Sequence, residues 1–177
     1  MVVPIILYGS PILRKRSFAV TKNDDFQQLS QDLFDTLKKA GGLGLAAPQT
    51  GMLKRAFVID TSSLAEDDIL IQKYEQTFIN PEITGQSFIK TYYNEGCLSL
   101  PGIFEDVLRP EKITVRYFDM NFNRVEEELD GIRARIFQHE FDHLEGILFI
   151  DKLNILKRKL LSGRLNKIAN SNKIIKK

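Results

Sequence analysis

The chain has no tryptophan, one cysteine (Cys97) and two histidines (His139 and His143) among its 177 residues. A single thiol excludes an intramolecular disulfide and makes a reducing cytoplasm the expected compartment. Two imidazoles exclude every site that needs three. Long apolar runs are missing too: nothing approaches the roughly 18 residues of a bilayer span, so no membrane partner is expected. Residues 2–7 are too short for a secretory apolar region, and Arg14, Lys15 and Arg16 follow them instead of preceding them, so no signal peptide is expected. Charge is unevenly spread along the chain. Residues 152–177 hold nine Lys/Arg and no Asp or Glu, whereas residues 1–151 carry the other 16 bases and all 23 acids. The net charge of +2 thus conceals an acidic body and a basic tail. Such a tail suits a polyanionic partner, or is simply a solvated helix face.

What is present is ordinary globular material, 43% hydrophobic and 27% charged, without repeats or a Pro/Gly/Ser-rich linker. The length fits one domain, read as residues 1–150 with a basic helical tail over 151–177. Gly9-Ser10-Pro11 predicts an extended N-terminal segment that then bends. Phe26, Leu29, Leu33, Phe34 and Leu37 form one helical face, with Asp24 or Asp25 at its start and Gly41-Gly42 at its stop. Strands are predicted over residues 55–61, 77–79, 87–93, 113–118 and 124–129, with an acidic loop over 64–68. A second long helix is predicted from Asp130-Gly131 to Glu145, closed by Gly146. The expected fold is α+β: mostly antiparallel sheets around this central helix, with a C-terminal helix. In that last helix Leu153, Leu156 and Leu160 are expected to pack on the body. Lys157, Arg158, Lys159, Arg164 and Lys167 would then face outward, with an interruption at Ser162-Gly163.

The second helix carries His139-Glu140-Phe141-Asp142-His143, an H-E-x-x-H pattern. Residues four apart share a helical face, so both imidazoles can reach one metal ion, and Glu140 is placed to take a proton from water beside it. The bland alternative is a structural helix with two histidines. Two peptidase patterns use this motif. One ends in a third histidine, but Phe149 stands there; the other needs a later glutamate, and only Glu145 and Asp151 follow His143. Neither can be completed. Cys97 is the remaining soft donor, and a thiolate with two imidazoles makes a three-ligand site with its fourth position open. A small buried apolar residue is the alternative reading of a lone cysteine. Residues 42–49 (Gly-Leu-Gly-Leu-Ala-Ala-Pro-Gln) are not a phosphate loop, because Ala47 replaces the last glycine. They read either as a packed loop or as one that brings backbone groups to a ligand, with Gln49 offering an amide to an oxyanion.

In this order, G-x-G-L-A-A-P-Q, E-G-C-L-S and Q-H-E-x-D-H-L-x-G resemble the three motifs of bacterial-type peptide deformylases. Residues 7–14 resemble that family's N-terminus and Ala134-Arg135 its approach to the metal helix, so the resemblance covers most of residues 5–150. It implies a hydrolase that removes the N-formyl group from the N-terminal methionine of new polypeptides and releases formate. It also implies metal ligation by Cys97, His139 and His143, Glu140 as general base, and oxyanion donation by the Gln49 side chain and the Leu98 backbone N–H. Gly44 and Gly96 become the edges that pair with the peptide, and Leu43, Ile132 and Ile136 the methionine pocket, although both isoleucines also read as core. The implied cofactor is one divalent ion, Fe(II) first, with Zn, Ni or Co as substitutes. Asp142 or Gln138 is expected to orient an imidazole. The implied partners are N-formylmethionyl peptides and, through the tail, the ribosome; no DNA is expected. The alternatives are an H-E-x-x-H metallopeptidase, or a ribosome- or RNA-binding module with a vestigial metal site. Two departures from the family stand out. Ala19 replaces a frequent proline, and residues 102–108 lack an arginine that some relatives carry, Arg109 being the nearest base.

Overall fold

The computed structural model describes residues 1–67 and 73–174. Helix α1 (Phe26–Ala40) begins where the Asp25 carboxylate accepts the Gln28 N–H at 3.0 Å, and it ends at Gly41 in the left-handed conformation, φ 67°. Its buried stripe is Leu29, Leu33 and Leu37, with Phe26 and Phe34 half-buried beside it. Strands β1 (Gly44–Ala46) and β2 (Ala56–Asp60), the short helix α2 (Ser62–Asp67) and strand β3 (Glu75–Gln86) follow. Next come β4 (Lys90–Gly96), β5 (Phe104–Pro110), β6 (Lys112–Phe118) and β7 (Arg124–Asp130), then helices α3 (Gly131–Leu144) and α4 (Ile155–Ile174).

Five strands form one antiparallel sheet in the order β1-β2-β3-β6-β7, and β4 pairs with β5 as a separate hairpin. β2 reads Ala56-Phe57-Val58-Ile59 and is buried on both faces, as an internal strand must be. β7 lies at the edge and alternates instead; Glu126 and Glu128 meet Arg116 (3.2 Å) and Lys112 (3.7 Å) across the pair. β3 bends through register shifts around Asn80, whose φ is 49°. The Asn80 amide accepts the Val20 N–H and donates to the Val20 carbonyl, both at 2.8 Å, and so stands in for a neighbouring strand.

α3 runs through the middle. Its apolar side, Ala134, Phe137 and Leu144, packs on the large sheet, where Phe137 meets Phe57 and Phe78 edge-on with centroids 5.0 Å apart. Its polar side faces the β4–β5 hairpin. α4 closes a second core, burying Leu161, Leu165 and Ile168 among Leu13, Leu100, Ile103 and Leu148.

The α+β architecture around a central helix is therefore as expected, with differences in detail. Residues 62–67 are helical, not a loop; Asp68 lies outside the described residues. β1 and β5 are additional strands. β1 is only three residues long and β5 is interrupted by charge, so neither shows the alternation that marks a strand. In α4 the buried face is Leu161, Leu165 and Ile168, leaving Leu156 and Leu160 exposed, and the helix runs through Ser162-Gly163 without a break. Its neighbouring turns are long enough to carry one glycine at a cost of about 1 kcal/mol.

Phe78 is fully buried and touches Phe57, Tyr117 and Phe137 with centroids 4.6–5.0 Å apart. Phe78→Ala should cost about 3–5 kcal/mol of stability in urea unfolding.

Candidate active site

Two successive turns of α3 carry His139 and His143, with ring centroids 5.2 Å apart. Cys97 follows directly on β4, and its Sγ lies 3.2 Å from His143 Nε2. One donor atom from each of Cys97, His139 and His143 lies within 4.8 Å of the others. Donors around one tetrahedral ion stand about 3.5 Å apart, so this trio is near the required spacing.

The imidazoles are held differently. His139 Nδ1 lies 2.9 Å from Glu95 Oε2, which leaves Nε2 as its free nitrogen. Burial works against a proton on His139, but the Cys97 thiol and Glu95 outweigh it and hold its pKa well above the ordinary histidine range. His143 is lowered well below that range, first by burial and then by the positive charge of His139 and Arg109. Its Nδ1 is buried with no hydrogen-bond partner among the described residues. Phe149, where a third histidine would complete the longer peptidase motif, instead stacks on the His139 ring with centroids 5.9 Å apart.

Glu140 is buried, its Oε2 has no partner among the described residues, and burial pushes its pKa up to about 7. Gly44 lies against it: a Cβ there would come within 2.5 Å of Glu140 Oε1 and 2.8 Å of Ile136. The Gln49 side chain is buried and aimed. Its Oε1 accepts the Ala46 N–H at 2.8 Å, and its Nε2 lies 3.2 Å from Ser99 Oγ and 3.5 Å from Cys97 Sγ. Above these groups opens a cavity of about 510 Å³. It is lined by the polar groups of Cys97, His139 and Glu140, by the apolar Leu43, Ile132 and Ile136, and by Gly44, Gly96 and Leu98. Thus every site residue expected from the sequence except His143 and Gln49 lines this cavity, and those two touch Cys97.

The groups that hold the site were less visible. Glu95 is the one buried residue of β4. It accepts from Arg109 Nε (2.6 Å) and Nη2 (2.9 Å) and from Arg135 Nη1 (2.9 Å), besides its contact with His139. Arg109 Nη1 also donates to Asp142 Oδ2 at 2.6 Å. Burial raises the Glu95 carboxyl, yet the Arg109 and His139 hydrogen bonds prevail and keep it well below the usual carboxylate range. The expectation that Asp142 or Gln138 orients an imidazole is corrected accordingly. Asp142 is taken by Arg109, and Gln138 Nε2 donates to the Pro110 and Ala134 carbonyls at 3.0 Å. The available signal was Arg135, one turn before His139 on a helix face that must be buried and so needs an acid opposite.

A thiol, two imidazoles and a buried carboxylate at a cavity floor form the donor set of a metal-dependent hydrolase, and the approach of His143 Nε2 to Cys97 Sγ, with the unpartnered Glu140 Oε2 beside them, fits such an ion. The family model for polypeptide deformylase matches residues 2–159. The peptide deformylase of Cytophaga hutchinsonii is 45% identical over 170 residues, covering 96% of this chain and 91% of the relative. That of Zymomonas mobilis is 45% identical over 166 residues, covering 93% of each. Among solved structures, peptide deformylase from Thermus thermophilus aligns with TM-score 0.86 at 38% identity, covering 97% of this chain and 99% of the other. The Plasmodium falciparum enzyme aligns with TM-score 0.86 at 40% identity, covering 97% and 98%. The chain belongs to the peptide deformylase family.

Arg109→Met would leave Glu95 and Asp142 buried without their shared cation. It should cost about 3–5 kcal/mol in denaturant unfolding, far more than a surface arginine.

Proposed function

We infer that this protein is a metal-dependent hydrolase that removes the N-formyl group from the N-terminal methionine of newly made polypeptides and releases formate. The observation that carries this reading is the convergence of Cys97, His139 and His143 beneath a cavity whose floor also holds the unpartnered Glu140 carboxylate. A metallopeptidase or a vestigial binding module is not favoured, given the family match across the chain.

Cys97, His139 and His143 would hold one divalent ion, which when bound supplies Lewis-acid polarisation and brings the acidity of water toward neutrality. Glu140, buried and free at one oxygen, takes the proton of the attacking water and returns it to the departing amine. Gln49 Nε2, fixed by the Ala46 N–H on its oxygen, donates to the oxyanion that develops on the formyl group, as does the Leu98 backbone N–H. β1 is the edge strand of its sheet, so Gly44 can pair with an extended peptide, and Gly96, which lines the same cavity, offers a second backbone edge. Leu43, Ile132 and Ile136 accept the methionine side chain, and the narrow floor admits formyl in preference to acetyl.

Iron(II) is our choice of working ion, with zinc, nickel or cobalt able to replace it, because a thiolate with two imidazoles suits all four. The cytoplasm is our choice of compartment, in keeping with a single unpaired thiol; no helix among the described residues is long and apolar enough to cross a membrane. The ribosome is a further partner, met by the exposed cations of α4. Lys159 and Lys167 face solvent, whereas Lys157 pairs with Glu105 (3.0 Å) and Arg164 donates to the Gly102 carbonyl.

Formate release from formyl-Met-Ala-Ser tests the activity. Glu140→Gln should retain metal but lose at least about 100-fold in kcat, while Cys97→Ala should lose the metal itself on elemental analysis. Aeration should inactivate anaerobically purified protein, and activity unchanged by air would exclude iron. Charge reversal at Lys159 and Lys167 should weaken ribosome co-sedimentation in a salt-dependent way and spare tripeptide turnover.

A further inference from the structure

We propose that Phe104 is a specificity-determining residue, an aromatic platform at the cavity mouth that favours formylmethionyl peptides with an apolar or aromatic side chain downstream of methionine. The proposal rests on the reading above, in which the Gly96 edge pairs with the substrate backbone.

Phe104 opens β5 directly opposite Gly96. Its ring lies on that glycine: a Cβ at position 96 would come within 2.4 Å of Phe104 Cε1 and 2.6 Å of Cδ1. The missing side chain therefore seats the ring against the backbone along which the peptide would run. Phe104 is nonetheless 64% exposed while it lines the cavity, so most of the ring is spent on neither the core nor a neighbour. An exposed aromatic face beside a substrate path offers contact area to an apolar side chain.

Charge on this wall points the same way. In the segment between Cys97 and Phe104 the residues that line the cavity are Leu98, Pro101 and Gly102, none of them charged. The sequence suggested Arg109 as the nearest base, but it is turned inward to Glu95 and Asp142 and is 2% exposed. The cations that approach this wall are already engaged: Arg135, which also lines the cavity, by Glu95 and the Val107 carbonyl, and Arg164 by the Gly102 carbonyl. Instead Asp106, two residues along the same strand face, is held by the neutral Asn94 amide at 3.0 Å. An acidic peptide meets like charge there, and an aromatic one meets a ring.

Formate release measured on formyl-Met-X-Ser and formyl-Met-Ala-X, with X as Phe, Leu, Ala or Asp, tests the platform. The expected result is a kcat/KM preference of about 10-fold for Phe over Asp in at least one series, carried mainly by KM. Phe104→Ala should shrink that ratio to about 2-fold or less, and Phe104→Arg should reverse it in favour of Asp. A wild-type protein that turns over both series without preference, or a preference intact in Phe104→Ala, overturns the proposal. Failure of the metal-loaded wild type to release formate from every peptide overturns the deformylase reading itself.

Discussion

One carboxylate, that of Glu95, holds the site together. A helix buried on nearly every side carries Arg135, Gln138, His139, Glu140, Asp142 and His143, and such a helix needs partners for its charges. Glu95 supplies them from the hairpin. It accepts from Arg109, Arg135 and His139 at once, and Arg109 returns to α3 through Asp142, which Lys152 also approaches at 3.2 Å. Buried charge networks are poor sources of net stability but strict about geometry. Here the geometry delivers Cys97, two residues beyond Glu95, to the nitrogens of α3.

The remaining parts of the site are fixed by backbone. The extended N-terminal segment donates from Ile6 N–H to the Gln49 carbonyl (2.7 Å) and from Tyr8 N–H to the Ser99 carbonyl (2.8 Å). It thereby joins the loop that bears the Gln49 amide to the loop that bears Cys97. Glycine appears where side chains would collide: Gly44 under Glu140, Gly96 under Phe104, and Gly146 (φ 73°) where a Cβ would meet the Arg14 carbonyl at 2.6 Å. The apolar side of α3 is held instead by side-chain packing, with Phe137 edge-on to Phe57 and Phe78 of the sheet.

Much of this was legible in the sequence. The spacing of His139 and His143, the incompleteness of both peptidase patterns and the lone Cys97 singled out the donor set. Helix limits at Asp25, Gly41 and Gly146 were readable because capping is local chemistry. What was not legible depends on register between distant strands. Glu95 looks like a strand-end surface acid until β4 pairs with β5 and turns it inward, and Arg109 looks like a substrate contact until the same pairing buries it. The buried face of α4 was misread by a few residues because Leu153, Leu156, Leu160, Leu161 and Leu165 support more than one stripe. Only packing against Leu100 and Ile103 selects among them.

X-ray absorption at the metal edge of anaerobically purified protein tests the central claim most directly. The account predicts one sulfur at about 2.3 Å and two imidazole nitrogens at about 2.0–2.1 Å around a single ion. A coordination shell of nitrogen and oxygen alone, with no sulfur scatterer, would contradict it.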